Sequence, residues 1–127
     1  MIKCYWLVNH KITESQEDEL RRRFGVNAII LPPENVAGMW QAIPVTERIP
    51  DGILDVVKDW FSTMDSSDIA VVHGEPTAMF SLVNYLLDKE VRVFASVSER
   101  KVIDVIQDGK VCKLSVFEHV CFRPYVK

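Results

Sequence analysis

The chain lacks most of the devices by which a short sequence announces its chemistry. No C-x-x-C pair occurs: Cys4, Cys112 and Cys121 are scattered, each inside an apolar stretch, and no histidine stands at ligand spacing from them. That argues against a zinc site, and the three read as buried reduced thiols acting as small hydrophobes. Neither G-x-x-x-x-G-K-[ST] nor G-x-G-x-x-G is present, so there is no P-loop and no dinucleotide fingerprint. No Ser/His/Asp or Cys/His nucleophile set is readable, and no carboxylates cluster at metal-site spacing. No metal or cofactor is expected. No apolar run approaches the roughly 18 residues that span a bilayer, and repeats and low-complexity tracts are missing. The opening Met1–Val8 is apolar but too short for a signal h-region, and no small-residue cleavage site follows it. It reads as a first strand, with the cytoplasm as the expected compartment.

What remains is an ordinary globular composition. The 127 residues are 48% hydrophobic and 26% charged, enough for one domain with one core. Net charge is −3, unevenly spread: residues 1–90 carry 8 basic and 14 acidic side chains, residues 91–127 carry 7 basic and 4 acidic. Long duplex DNA or RNA is excluded as a non-specific partner, because that binding needs many Lys/Arg–phosphate contacts. A compact anion held by one local patch is not excluded.

Along the chain, Ile2–Val8 is a β-branched and aromatic run closed by Asn9-His10. Thr13 with Gln16 three residues on forms a capping box for a first helix that stops at Gly25. Ala28–Leu31 is a second short strand ended by Pro32-Pro33. A short amphipathic piece follows at Ala37–Ala42, then a helix over Ile53–Met64 with Asp51 as its cap. Asp68–His73 is a continuous apolar run of the kind seen in buried parallel strands. Gly74-Glu75-Pro76 turns into a helix over Thr77–Lys89, and strand Val91–Ser96 follows. Lys101–Ile106 and Val111–Phe122 flank Asp108-Gly109, a strong hairpin signal. The expectation is a single α/β domain, a Rossmann-like and mostly parallel sheet flanked by helices. Its βα core spans residues 1–96, and a C-terminal β-hairpin extension spans residues 99–123.

In open sheets of this kind ligands sit outside the carboxyl ends of the strands. Four places qualify: Asn9-His10, Pro32–Asn35, His73–Thr77 and Ser96–Arg100. The His73–Thr77 turn enters a helix whose first amides lack internal partners, a seat for phosphate. Gly74 permits close approach, Thr77 offers a hydroxyl, and Glu75 suits an anion only by accepting from a hydroxyl or amine; the alternative is a plain helix cap. Ser96-Val97-Ser98-Glu99-Arg100-Lys101 gathers hydroxyls and cations that can hold phosphate or ribose, or is simply a polar loop. His10 can shuttle a proton or donate to an anion, or is a solvated loop residue. His119 is expected as a half-buried strand residue sharing a face with Phe117 and Cys121. Trp6, Trp40 and Trp60 read as core, and Trp40, in the irregular segment near a strand end, is the one of the three also placed to stack on a base. The Arg21-Arg22-Arg23 trio complements the end of the first helix.

The tail Ser115-Val116-Phe117-Glu118-His119-Val120-Cys121-Phe122-Arg123-Pro124-Tyr125, the opening Leu7-Val8-Asn9-His10-Lys11-Ile12-Thr13, the segment Met39-Trp40-Gln41-Ala42-Ile43-Pro44 and the turn Val72-His73-Gly74-Glu75 together resemble a small CRISPR-associated family of ring nucleases from type III systems. The resemblance implies a Rossmann-like homodimer that binds a cyclic oligoadenylate, cyclic tetra-adenylate first of all, and linearises it, switching off the effectors it activates. The implied chemistry is metal-independent attack of a ribose 2′-hydroxyl on its own 3′-phosphate, which needs in-line positioning and stabilisation of the developing oxyanion. A two-fold ring also suits a two-fold axis. His10 matches a histidine of the family's opening motif; Asn9 replaces a small hydroxyl residue, and Pro76 intervenes in the turn where the family has Gly or small residues. On physical grounds His10, Glu75 and Arg100 are the catalytic candidates, and Asn9, His10, Gly74, Glu75, Thr77, Ser96, Ser98 and Arg100 the ligand contacts. A non-catalytic protein that sequesters or senses the same messenger is the alternative.

Overall fold

The chain described by the computed structural model, residues 1–127, alternates strands and helices as β1 (Ile2–Leu7), α1 (Glu14–Phe24), β2 (Val26–Ile30), α2 (Glu34–Gln41), α3 (Asp51–Trp60), β3 (Ile69–Val72), α4 (Pro76–Asp88), β4 (Arg92–Gln107) and β5 (Lys110–Pro124). Local chemistry sets several boundaries. The Thr13 hydroxyl accepts from the Gln16 amide at 3.3 Å, and the Gln16 side-chain oxygen accepts from the Thr13 amide at 2.9 Å, so the capping box forms. Gly25, at φ 68°, stops the helix in the left-handed region. The expected helix over Ile53–Met64 starts two residues earlier and is shorter. Pro50, not Asp51, is the cap residue, its ring fixing φ at −59°, and a 3₁₀ turn at Phe61–Thr63 closes the segment.

The sheet has the order β2-β1-β3-β4-β5. β1 through β4 are parallel to their neighbours and β5 is antiparallel to β4, so the sheet is mixed. Period-2 alternation assigns the two faces. Cys4, Trp6, Ile69, Val71, Phe94 and Phe122 pack with Leu20 of α1. Tyr5, Leu7, Ala70, Val72 and Val93 pack beneath α2, α3 and α4 through Val36, Trp40, Val57 and Leu82. One helix therefore covers one face and three cover the other. Cys4 is buried as expected, whereas Cys112 and Cys121 are only half-buried.

The main departure from expectation is at Ser96–Lys101. These residues form no loop: β4 runs unbroken to Gln107, because every position from Ser96 onward finds an antiparallel partner on β5. The ladder satisfies the backbone groups that a loop would have left to water, and the polar side chains simply alternate between faces. Pairing with β3 ends at Phe94, so beyond it β4 and β5 continue as a two-stranded arm past the carboxyl edge of the parallel strands. Asp108 and Gly109, at φ 52° and 72°, make the tip. Two successive left-handed residues are the type I′ turn that matches strand twist.

Candidate functional site

The chain leaves β1 for β2 on one side and returns to β3 on the other, so the strand order reverses at the ends of β1 and β3, where such sheets bind ligands. The two ends are joined there: the His73 amide donates to the Leu7 carbonyl at 3.0 Å. Asn9 and His10 follow β1; His73 and Gly74 follow β3.

On the α4 side of this point the expected phosphate seat is already filled. Glu75 is the N-cap of α4, its carboxylate accepting from the Ala78 amide at 2.8 Å and from the Thr77 hydroxyl at 2.6 Å. These bonds, Thr77 first, hold the Glu75 carboxyl below the usual glutamate range. The carboxylate satisfies an orphan amide of the helix start, and a second anion there would meet like charge. Glu75 and Thr77 are thus a helix cap. Gly74 serves Trp40 rather than a ligand: a Cβ on Gly74 would lie 2.6 Å from the indole nitrogen, which donates to the His73 carbonyl at 2.8 Å. Trp40 is buried in the core, as its apolar context implies, and its ring is not open for stacking on a base.

Ser96, Ser98 and Arg100 lie on β4, from the root of the arm upward. Ser96 Oγ accepts from Gln16 Nε2 at 3.0 Å and bonds His119 Nδ1 at 3.0 Å. His119 Nε2 in turn meets Glu19 Oε1 at 2.6 Å. A bulge brings His119 there: Val97 pairs with Cys121 and Ser98 with His119, leaving Val120 over and restarting the alternation. Ser96, His119 and Glu19 thus stand in serine–histidine–carboxylate order, a set that the sequence did not reveal because its members lie on three elements and the bulge hides the phase of His119. Ser96 lines none of the larger clefts, so the chain of bonds ties α1 to the arm. Arg100 donates twice to the Ser115 hydroxyl, at 3.2 and 3.0 Å, and is exposed with Ser98 along the arm.

Two open clefts lie at the carboxyl edge. One, of about 640 Å³, runs between α4 and the segment after α2, with Thr46, Glu47, Arg48, Asp51, Glu75, Thr77 and Ser81 in its wall. The other, of about 610 Å³, opens between the β1 loop and α2. Val8, Ile12, Leu31, Pro32 and Ala37 form its apolar wall, and Asn9, His10, Lys11 and Gln41 its polar groups. Trp6 Nε1 donates to the His10 carbonyl at 3.2 Å and anchors this loop. His10 Nδ1 lies 2.7 Å from the Lys11 carbonyl. A carbonyl only accepts, so Nδ1 carries the proton and Nε2 is left free to take one. The predicted site residues therefore separate into three groups: Asn9 and His10 in this cleft, Gly74, Glu75 and Thr77 in the α4 turn, and Ser96, Ser98 and Arg100 on the arm. Lys11 and Gln41 join the first group although residue type alone did not single them out. No three His, Cys, Asp or Glu side chains gather as a metal ion would require, and no helix is long and apolar enough to cross a membrane.

Fold and cleft together define an open α/β domain with a strand-end pocket and an antiparallel arm. The chain belongs to the Uncharacterized protein MJ1673 family, whose pattern matches residues 2–123. It is 28% identical over 126 residues to the Uncharacterized protein MJ1673 of Methanocaldococcus jannaschii, covering 98% of each chain. No solved structure matches it at a significant level.

Proposed function

We propose that this protein is a Rossmann-like ring nuclease of the cytoplasm, a homodimer that binds a cyclic oligoadenylate at the β1–α2 cleft and linearises it. The observation that carries this reading is the pairing, in one strand-end cleft, of an apolar wall with a histidine whose free nitrogen is fixed by the Lys11 carbonyl. An adenine ring stacks against Leu31, Pro32 and Ala37, while Asn9, Lys11 and Gln41 face the sugar and phosphate. His10 Nε2 takes the proton of a ribose 2′-hydroxyl. The 2′-oxygen then bonds to the adjacent phosphorus and the bond to the 5′-oxygen breaks. That oxygen regains a proton from the imidazolium, and a 2′,3′-cyclic phosphate is left on a linear chain. Lys11 offsets charge developing on the phosphate oxygens. The capped α4 turn and the Arg100–Ser115 pair leave Glu75 and Arg100 outside this step.

Incubation with cyclic tetra-adenylate in the presence of a chelator, followed by product separation, tests the reading. Linear fragments from the wild type, slowed at least about a hundredfold in His10→Ala, which is the usual contribution of a positioned acid–base group, support it. Intact messenger recovered after denaturation identifies a sequestering protein instead, and the absence of any thermal shift with the messenger overturns both.

A further inference from the structure

We infer that the β4–β5 arm is a pairing surface for a second copy of this chain, joined edge to edge along β5 with Leu114 on the two-fold axis. β5 is the outermost strand, and α1 reaches only its root, through His119 and Phe122. Natural edge strands are usually protected by proline, a bulge, brevity or charges such as lysine; β5 carries Lys110, Lys113 and Glu118, whose placement bears on which partner it can accept. Here Pro124 and the bulge at Val120 both lie at the root, and the stretch Lys110–Glu118 keeps an open row of backbone donors and acceptors. Apolar side chains stand out on both faces of the arm with no core under them: Ile106 (82% exposed), Val111 (70%) and Phe117 (72%) on one, Ile103 (43%) and Leu114 (48%) on the other. A lone two-stranded ribbon is marginal in water, and an exposed apolar patch of this kind marks an interaction site.

The sequence of β5 selects the occupant. In an antiparallel pair about a two-fold axis, directly opposed residues share a face. With Leu114 opposite its own mate, Lys113 faces Ser115, Cys112 faces Val116, Val111 faces Phe117 and Lys110 faces Glu118. Every apolar residue meets an apolar one, and the lysine at one end meets the glutamate at the other. Glu118 already takes Lys101 of its own arm at 2.7 Å, so it comes to lie between two ammonium groups. Neighbouring registers fail. Centring on Ser115 sets Lys113 against Phe117 and Cys112 against Glu118, and centring on Lys113 sets two lysines face to face. Such self-complementarity defines a closed, isologous contact. The same register carries the Asp108–Gly109 turn to the root of the mate's arm, beside its carboxyl edge. The pairing names a surface for the homodimer of the proposed function but does not rest on messenger binding.

Sedimentation equilibrium of the full chain at micromolar concentration tests it, together with crosslinking through one accessible cysteine in a Cys112→Ser, Cys121→Ser background, where the remaining Cys4 is buried. The wild type is expected to be a dimer. Leu114→Lys, which places two ammonium groups on the axis at an exposed position, should be a monomer with an unchanged circular dichroism spectrum. Leu114→Cys should close into a covalent dimer on mild oxidation, whereas Asp104→Cys, on β4 away from the edge, should not. A monomeric wild type, a dimeric Leu114→Lys variant, or equal crosslinking by both cysteine variants overturns the inference. The readout is mass rather than turnover: a dimer by another surface overturns this contact alone, a monomer overturns it together with the homodimer of the proposed function, and messenger cleavage is judged by its own assay in either case.

Discussion

Nε2 of His119 lies 2.6 Å from Oε1 of Glu19, joining β5 to α1 across 100 positions of sequence. The other oxygen of Glu19 accepts from the Phe122 amide and from Arg23, and Nδ1 of His119 is tied to Ser96. Glu19 only accepts and Gln16 Nε2 only donates, so one arrangement satisfies all members: Gln16 donates to Ser96, Ser96 donates to Nδ1, and Nε2–H donates to Glu19. The His119 side chain is 4% exposed, so water cannot replace it fully. His119→Ala should therefore cost about 1–3 kcal/mol, the penalty for leaving buried partners unsatisfied, and loosen the root of the arm. A urea midpoint indistinguishable from the wild type would show the network to be incidental.

Gly74 is a position where a single added methyl group should be felt. Its Cβ would fall 2.6 to 2.8 Å from three atoms of the Trp40 ring, and that ring is fixed by the Trp40–His73 bond. Gly74→Ala must push the indole out of its slot, a small-to-large change in a packed region that costs about 1–3 kcal/mol. The expected signature is lower stability with a shift in tryptophan emission as the bond to His73 is lost. An unchanged spectrum and midpoint would mean that the turn yields without strain.

The alternation of strands and helices was legible because the signals are local. Thr13 and Gln16 encode a cap within one turn, Gly25 and Gly109 encode left-handed backbone, and Ile69–Val72 is apolar on both faces because both faces are covered. The unbroken β4 was not legible: Ser98, Glu99 and Arg100 look like a loop until β5 is seen pairing with each of them. The candidate site was legible in place and only partly in membership. Asn9 and His10 end a strand that sequence alone predicts. The Glu75 cap bonds reach only Thr77 and Ala78 and belong to the local alternative the turn already offered, whereas the packing of Trp40 on Gly74 and the bulge that turns His119 toward Glu19 come from tertiary packing.

Glu75 gives the fold a pH dependence whose sign is fixed by its bonds. The Thr77 hydroxyl and the Ala78 amide favour the charged carboxyl, so its pKa in the folded state lies below the ordinary value. The unfolded chain then binds the proton more readily, and stability from this group is full above the ordinary glutamate range and is lost as pH falls through the depressed folded value. Wild type minus Glu75→Gln, measured by urea unfolding across the acid range, should show a difference that is present at neutral pH and shrinks on acidification. A difference that stays flat, or grows in acid, would contradict the cap.

Cys4 provides a probe of the sheet itself. It lies in β1, between β2 and β3, and is fully buried, and burial pushes its thiol up to about 12. The thiolate is the form that reacts, so Cys4 is protected twice, by lack of access and by lack of charge. Under mildly alkaline native conditions iodoacetamide should modify Cys112 and Cys121, which are half-buried on the arm, and leave Cys4 untouched in peptide mass spectra. Cys4 packs on the α1 face of the sheet with Leu20 and Phe122, so reaching it requires that layer to open, and its labelling in rising urea should track the loss of circular dichroism signal. Labelling of Cys4 well before that transition would mean that α1 lifts from the sheet locally, and that the layer held by the Glu19–His119 bond is less rigid than that bond implies.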